Sequence, residues 1–121
     1  MSIVETSPIS RDDFFNSVLA NNEGLVILKF GADWCRPCQL CKDQVYSYFN
    51  LMPTNVKCYD VDVDESFDLY AYLKSKRMIN GIPVILAYKK GNQTFAPDLT
   101  VTGANPESIT HFFNSCNNIL Q

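Results

Sequence analysis

The chain has a single histidine and no excess of basic residues, with 10 Lys and Arg against 13 Asp and Glu, and these shortages exclude whole classes of function. A nucleic-acid footprint needs clustered Lys and Arg to displace counterions from phosphates, and a net charge of -3 works against it. The one basic cluster, Lys74, Lys76 and Arg77, reads as a solvated helix end. No apolar run approaches the roughly 20 residues that span a bilayer. The stretch Met1-Ser2-Ile3-Val4-Glu5 lacks a positively charged region followed by a hydrophobic one. The expectation is a soluble, cytoplasmic protein that engages neither nucleic acid nor membrane. Repeats, linkers and low-complexity stretches are also missing, so 121 residues with 46% hydrophobic content are read as one domain, 1–121.

Cysteine is present in an odd number, 5, so a fully paired extracellular disulfide framework cannot account for all of it. Beyond Cys35, Cys38 and Cys41, a structural zinc would have only Cys58, Cys116 and His111 to draw on, and the C-x-x-C spacing is not repeated. The metal reading is therefore set aside, and no cofactor is expected. Cys41, Cys58 and Cys116 are read as small buried apolar residues and His111 as an exposed helix residue.

The chain alternates helical and extended signals. Ser10 can cap a helix with Asp12 and Asp13 in its first turn, Ile9 and Phe14 stapled across the cap, and Phe15, Val18 and Leu19 along its apolar stripe. Asn21-Asn22-Glu23-Gly24 ends it. The run from Leu25 to Phe30 is apolar on both faces except at Lys29, as expected of a strand covered by helices on either side. Arg36 to about Asn50 reads as a helix with Pro37 near its start, and Val56 to Val63 as a second strand. A helix over Ser66 to Met78, a strand over Pro83 to Tyr88, a turn over Lys89 to Asn92 and a strand ending near Thr102 follow. Asn105 then caps a last helix with Pro106 in its first turn. This order predicts an α/β fold in which a βαβ unit and a β-hairpin share one central mixed sheet, flanked by helices on both faces.

A cysteine just after a strand, in the first turn of a helix, has backbone N–H groups and the positive end of the helix dipole at its sulfur, which favours thiolate over thiol. Cys35 is so placed and is the candidate nucleophile. The two-residue spacer brings Cys38 close enough to attack and resolve a mixed disulfide. Pro37 stiffens the turn, and Arg36 adds a positive charge.

The run Phe30-Gly31-Ala32-Asp33-Trp34-Cys35-Arg36-Pro37-Cys38 is similar to the active-site run of thioredoxins. The resemblance continues through Asp60-Val61-Asp62-Val63-Asp64-Glu65, Gly81-Ile82-Pro83-Val84, Lys89-Lys90-Gly91 and Val101-Thr102-Gly103-Ala104, in order along nearly the whole chain. It implies a thioredoxin fold and reduction of protein disulfides by the Cys35–Cys38 couple. A thioredoxin reductase or other dithiol donor would restore the dithiol, and the working unit would be a monomer. It also implies that Pro83 is a cis-proline facing the pair, that Ile82 offers its backbone to substrate chains, and that Gly103 keeps the adjoining surface open beside Trp34. The competing reading is a thioredoxin-fold scaffold whose groove holds a partner without turnover.

The resemblance breaks at four places. Lys29 stands where thioredoxins usually carry a buried aspartate, and Asp60 where many bacterial members have lysine. A buried Lys29–Asp60 pair beneath the cysteines is the favoured reading; the alternative is a Lys29 that carries its head to water. A cation there and Arg36 would both raise the reduction potential. Asp43 replaces a common helix-kinking proline, the helix after Asp64 reads about one turn longer than usual, and the hairpin is enlarged around Phe95-Ala96-Pro97-Asp98-Leu99.

Overall fold

All of Leu25–Gly31 is buried, and this strand, β2, is the middle of a five-stranded sheet. The computed structural model describes residues 3–121; Met1 and Ser2, which begin the stretch read above for a leader, lie outside the described residues. The other strands are β1 (Val4–Glu5), β3 (Val56–Asp62), β4 (Val84–Lys89) and β5 (Leu99–Thr102), in the spatial order β1-β3-β2-β4-β5. β1 and β2 each run parallel to β3, whereas β4 is antiparallel to both β2 and β5. The sheet is therefore mixed. β1 is absent from the sequence reading because two residues are too short to show a period.

Side-chain alternation along β2 divides the core. Val26, Leu28 and Phe30 pack with Phe14, Leu19, Leu69 and Leu73 on one face. Leu25 and Ile27 pack with Val45, Phe49, Ile109 and Phe113 on the other. The first face is covered by α1 (Arg11–Asp13), which widens into a π-helical stretch over Phe14–Leu19, and by α3 (Phe67–Ser75). The second is covered by α2 (Arg36–Leu51) and α4 (Pro106–Leu120). Lys29 and Gly31 continue the series of Leu25 and Ile27 and so belong to the α2 side of the sheet.

Local chemistry sets the helix ends. Ser10 Oγ accepts from Asp13 N at 3.0 Å in a capping box, and Asn105 Oδ1 accepts from Ser108 N at 3.0 Å. α2 is continuous through Asp43. α3 ends at Ser75, earlier than the Ser66 to Met78 span read from the sequence. Arg77 adopts φ 63, its N–H donates to Lys74 O at 3.0 Å, and Met78 N donates to Leu73 O at 2.9 Å. That is a Schellman stop with arginine at the left-handed position where glycine is usual. The extra residues before Pro83 therefore form a connection rather than another helical turn. The enlarged hairpin is held inward: Tyr88 Oη donates to Phe95 O at 2.9 Å, and the Phe95 ring meets Tyr72 edge-on at 6.4 Å.

Candidate active site

The junction of β2 and α2 carries the two cysteines. Cys35 is the N-cap of α2, so its backbone is extended while its sulfur faces the first N–H groups of the helix. Cys38 N donates to Cys35 Sγ at 3.3 Å, and the two residues form a disulfide across a Cα–Cα distance of 5.3 Å. Cys35 N–H and the Gln39 side chain both donate to Ala32 O, at 3.1 Å each, which fixes the turn before the helix. Cys35 retains 7% exposure and Cys38 only 1%, so an incoming disulfide meets Cys35 first.

Three separated segments meet beside this pair. The Ile82–Pro83 peptide bond is cis, and Ile82 O lies 3.9 Å from Cys35 Sγ. Gly103 donates its N–H to Pro83 O at 2.8 Å and has φ 93, a conformation open to glycine at little cost. Trp34 is 69% exposed, and its indole N–H donates to Asp64 Oδ2 at 2.9 Å. Arg36 and Pro37 lie exposed at the start of α2.

Beneath the pair, Lys29 is 4% exposed and its Nζ lies 3.6 Å from Asp60 Oδ1. The two residues are register partners on β2 and β3, which places both side chains on the α2 side. The ammonium is therefore inside rather than carried to water. Tyr46, on α2, donates its hydroxyl to Asp60 Oδ2 at 2.6 Å. Burial first, and then this bond and the Asp60 charge, push the Tyr46 phenol above its ordinary range. A cavity of about 360 Å³ reaches Lys29, Gly31, Cys38, Lys42 and Asp60.

Tyr46 is the member of this group that the sequence reading leaves out. The available signal is spacing, since Cys38, Lys42 and Tyr46 follow one another at four-residue steps on one face of α2. The remaining cysteines, Cys41, Cys58 and Cys116, are free and buried in the core on the α2 and α4 side. His111 is exposed on α4. Among the described residues no group of three or more His, Cys, Asp or Glu side chains is placed to hold a metal ion. Nor, among them, is any helix long and apolar enough to cross a membrane.

The thioredoxin family model matches residues 6–115. Thioredoxin-2 of Saccharomyces cerevisiae is 30% identical over 95 residues, covering 78% of this chain and 83% of the yeast protein. Thioredoxin of Mus musculus is 32% identical over 100 residues, covering 83% of this chain and 87% of the mouse protein. The structure of Trichomonas vaginalis thioredoxin superposes with a TM-score of 0.72 at 23% identity, over 93% of this chain and 96% of that one, and so supports the fold alone. A strand, C-x-x-C and helix in this sheet order, with these relatives, leave a non-catalytic scaffold the less favoured reading. The chain belongs to the thioredoxin family of protein thiol–disulfide oxidoreductases.

Proposed function

We propose that Cys35 is the nucleophile and Cys38 the resolving cysteine in the reduction of protein disulfides. The observation that carries this is the position of Cys35: its sulfur caps α2, accepts the Cys38 N–H and is the less buried of the two. In the dithiol form the Cys35 thiolate attacks one sulfur of the substrate disulfide. A mixed disulfide forms, and the departing substrate thiolate takes a proton. Cys38 then loses its proton, and its thiolate attacks Cys35 Sγ. The second substrate thiolate leaves and is protonated, so the substrate gains two electrons and two protons and the Cys35–Cys38 disulfide forms.

Trp34, Ile82, Pro83 and Gly103 are read as the surface on which the substrate chain lies, with the Ile82 backbone beside the reacting sulfur. Pro37 stiffens the turn, and Arg36 and Lys29, the latter balanced by Asp60, supply positive charge that favours thiolate. Thioredoxins work with a reductase, and here a thioredoxin reductase or another dithiol donor would restore the dithiol without a bound cofactor. We take the protein to be one domain acting as a cytoplasmic monomer; a dimeric mass in sedimentation would overturn the last point.

Reduction of insulin disulfides in the presence of dithiothreitol tests the assignment. Wild-type protein is expected to accelerate precipitation of the insulin chains. Cys35→Ser and Cys38→Ser are each expected to lose that activity by several orders of magnitude, because neither single thiol completes the exchange. An inactive wild type would instead favour the scaffold.

A further inference from the structure

Among the described residues the Asp60 carboxylate has two partners, and they hold it unequally. Its Oδ2 accepts the Tyr46 hydroxyl at 2.6 Å, within the roughly 2.5–2.7 Å of charge-assisted O–H···O bonds. Its Oδ1 stands 3.6 Å from Lys29 Nζ, whereas hydrogen-bonded ion pairs close to about 2.7–2.9 Å. The tighter partner of the carboxylate is therefore the tyrosine. Lys29, only 4% exposed, is left with a counter-charge that does not close on it.

Close to that ammonium is the resolving cysteine. A Cβ added to Gly31 would stand 3.3 Å from Cys38 Sγ and 3.7 Å from Lys29 Nζ. The sulfur and the nitrogen are thus at most ~7 Å apart, both beside the space that glycine leaves empty. A charge at that range inside a protein shifts a neighbouring thiol–thiolate balance by about tenfold.

We propose that Tyr46 is a positioning residue for the Cys35–Cys38 couple: by binding Asp60 it keeps the Lys29 ammonium incompletely neutralised beside Cys38, which stabilises the reduced form. Gly31 is the second part of the device, because any side chain there would fill the gap through which the charge acts. The Tyr46 ring is itself fixed, packing on Phe49 with ring centres 6.0 Å apart and lying under Lys42 Nζ at 5.8 Å. Removing its hydroxyl frees Asp60 to close on Lys29 and quench the charge.

The proposal rests on the redox roles given above to Cys35 and Cys38, and the test separates the two. The equilibrium of the couple with glutathione is measured for wild type, Lys29→Met, Tyr46→Phe and the double variant, alongside insulin reduction and thermal unfolding. Read at a pH where Cys38 of the dithiol is ionised, Lys29→Met is expected to shift the equilibrium about tenfold toward the protein disulfide, which is about 30 mV for a two-electron couple. Tyr46→Phe is expected to shift it the same way by about threefold, and the double variant no further than Lys29→Met alone. Should Lys29→Met fail to fold, Lys29→Gln serves the same arm. A Tyr46→Phe equilibrium that is unchanged or moves oppositely overturns the proposal, as does lost thermal stability with an unmoved equilibrium. A Tyr46→Phe shift that persists without Lys29 also overturns it. A wild type that neither equilibrates with glutathione nor reduces insulin overturns the underlying redox assignment instead.

Discussion

The five cysteines do different things because their surroundings differ. Cys35 meets a helix N-terminus and retains a little exposure, whereas Cys58 and Cys116 are wholly buried among apolar side chains. Burial pushes both of those thiols up from 9.0 to about 12, so at neutral pH they are protonated and inert. Cys41 is also raised, by burial first and against the lowering effect of Lys29. In the unfolded chain these thiols ionise near 9.0, while the native state keeps their protons until about 12. The native state binds more protons across that interval. Stability from this source is complete below about pH 9 and declines as pH rises toward 12. Tyr59 and Tyr88, raised mainly by burial, act in the same direction. Urea midpoints measured on reduced protein are expected to fall from pH 9 upward, and a Cys58→Ala/Cys116→Ala variant, though less stable overall, to fall less steeply. Equal slopes would contradict this account. At this scale the C-x-x-C pair and the paired signs of Lys29 and Asp60 are legible in the sequence. Tyr46 is not, because its role depends on β3 delivering Asp60 under α2.

Among the elements, α3 shows how tertiary packing overrides local pattern. Phe67, Leu69, Tyr70 and Leu73 carry a helical stripe, and nothing in Lys74-Ser75-Lys76-Arg77 announces a stop. The stop is made by Arg77 at φ 63, with Met78 turned back toward the core that contains Leu73. A left-handed residue that is not glycine costs roughly 1–2 kcal/mol. Arg77→Gly is therefore expected to stabilise the protein by about 1 kcal/mol, read from the urea midpoint at constant m-value, and a loss of stability would contradict this reading of the helix end. Elsewhere the signals were local and sufficient: Ser10 and Asn105 as caps, the apolar run of β2, and the turn after β4. β1 could not be read because its two residues pair only by docking on Cys58 and Tyr59 of β3. In the enlarged hairpin between β4 and β5, the Tyr88 hydroxyl and the Tyr72 ring draw Phe95 inward.

For the molecule as a whole, the sheet order matters because it gathers distant pieces of chain at one edge of the structure. β2 delivers Cys35 to the start of α2, the connection into β4 delivers Ile82 and Pro83, and the residue after β5 is Gly103. The same arrangement places buried Lys29 and half-buried Asp60 and Tyr46 under the pair, so the groove and the electrostatics share one scaffold. The family resemblance runs through Ile82, Pro83 and Gly103, whereas Lys29 and its partner Asp60 depart from it. Attack by Cys35 and resolution by Cys38 are told apart by trapping the mixed disulfide. Cys38→Ser, mixed with a disulfide substrate and mapped by mass spectrometry, is expected to accumulate a covalent adduct through Cys35, while Cys35→Ser accumulates none. An adduct formed through Cys38 in Cys35→Ser, or no adduct in Cys38→Ser, would contradict these roles.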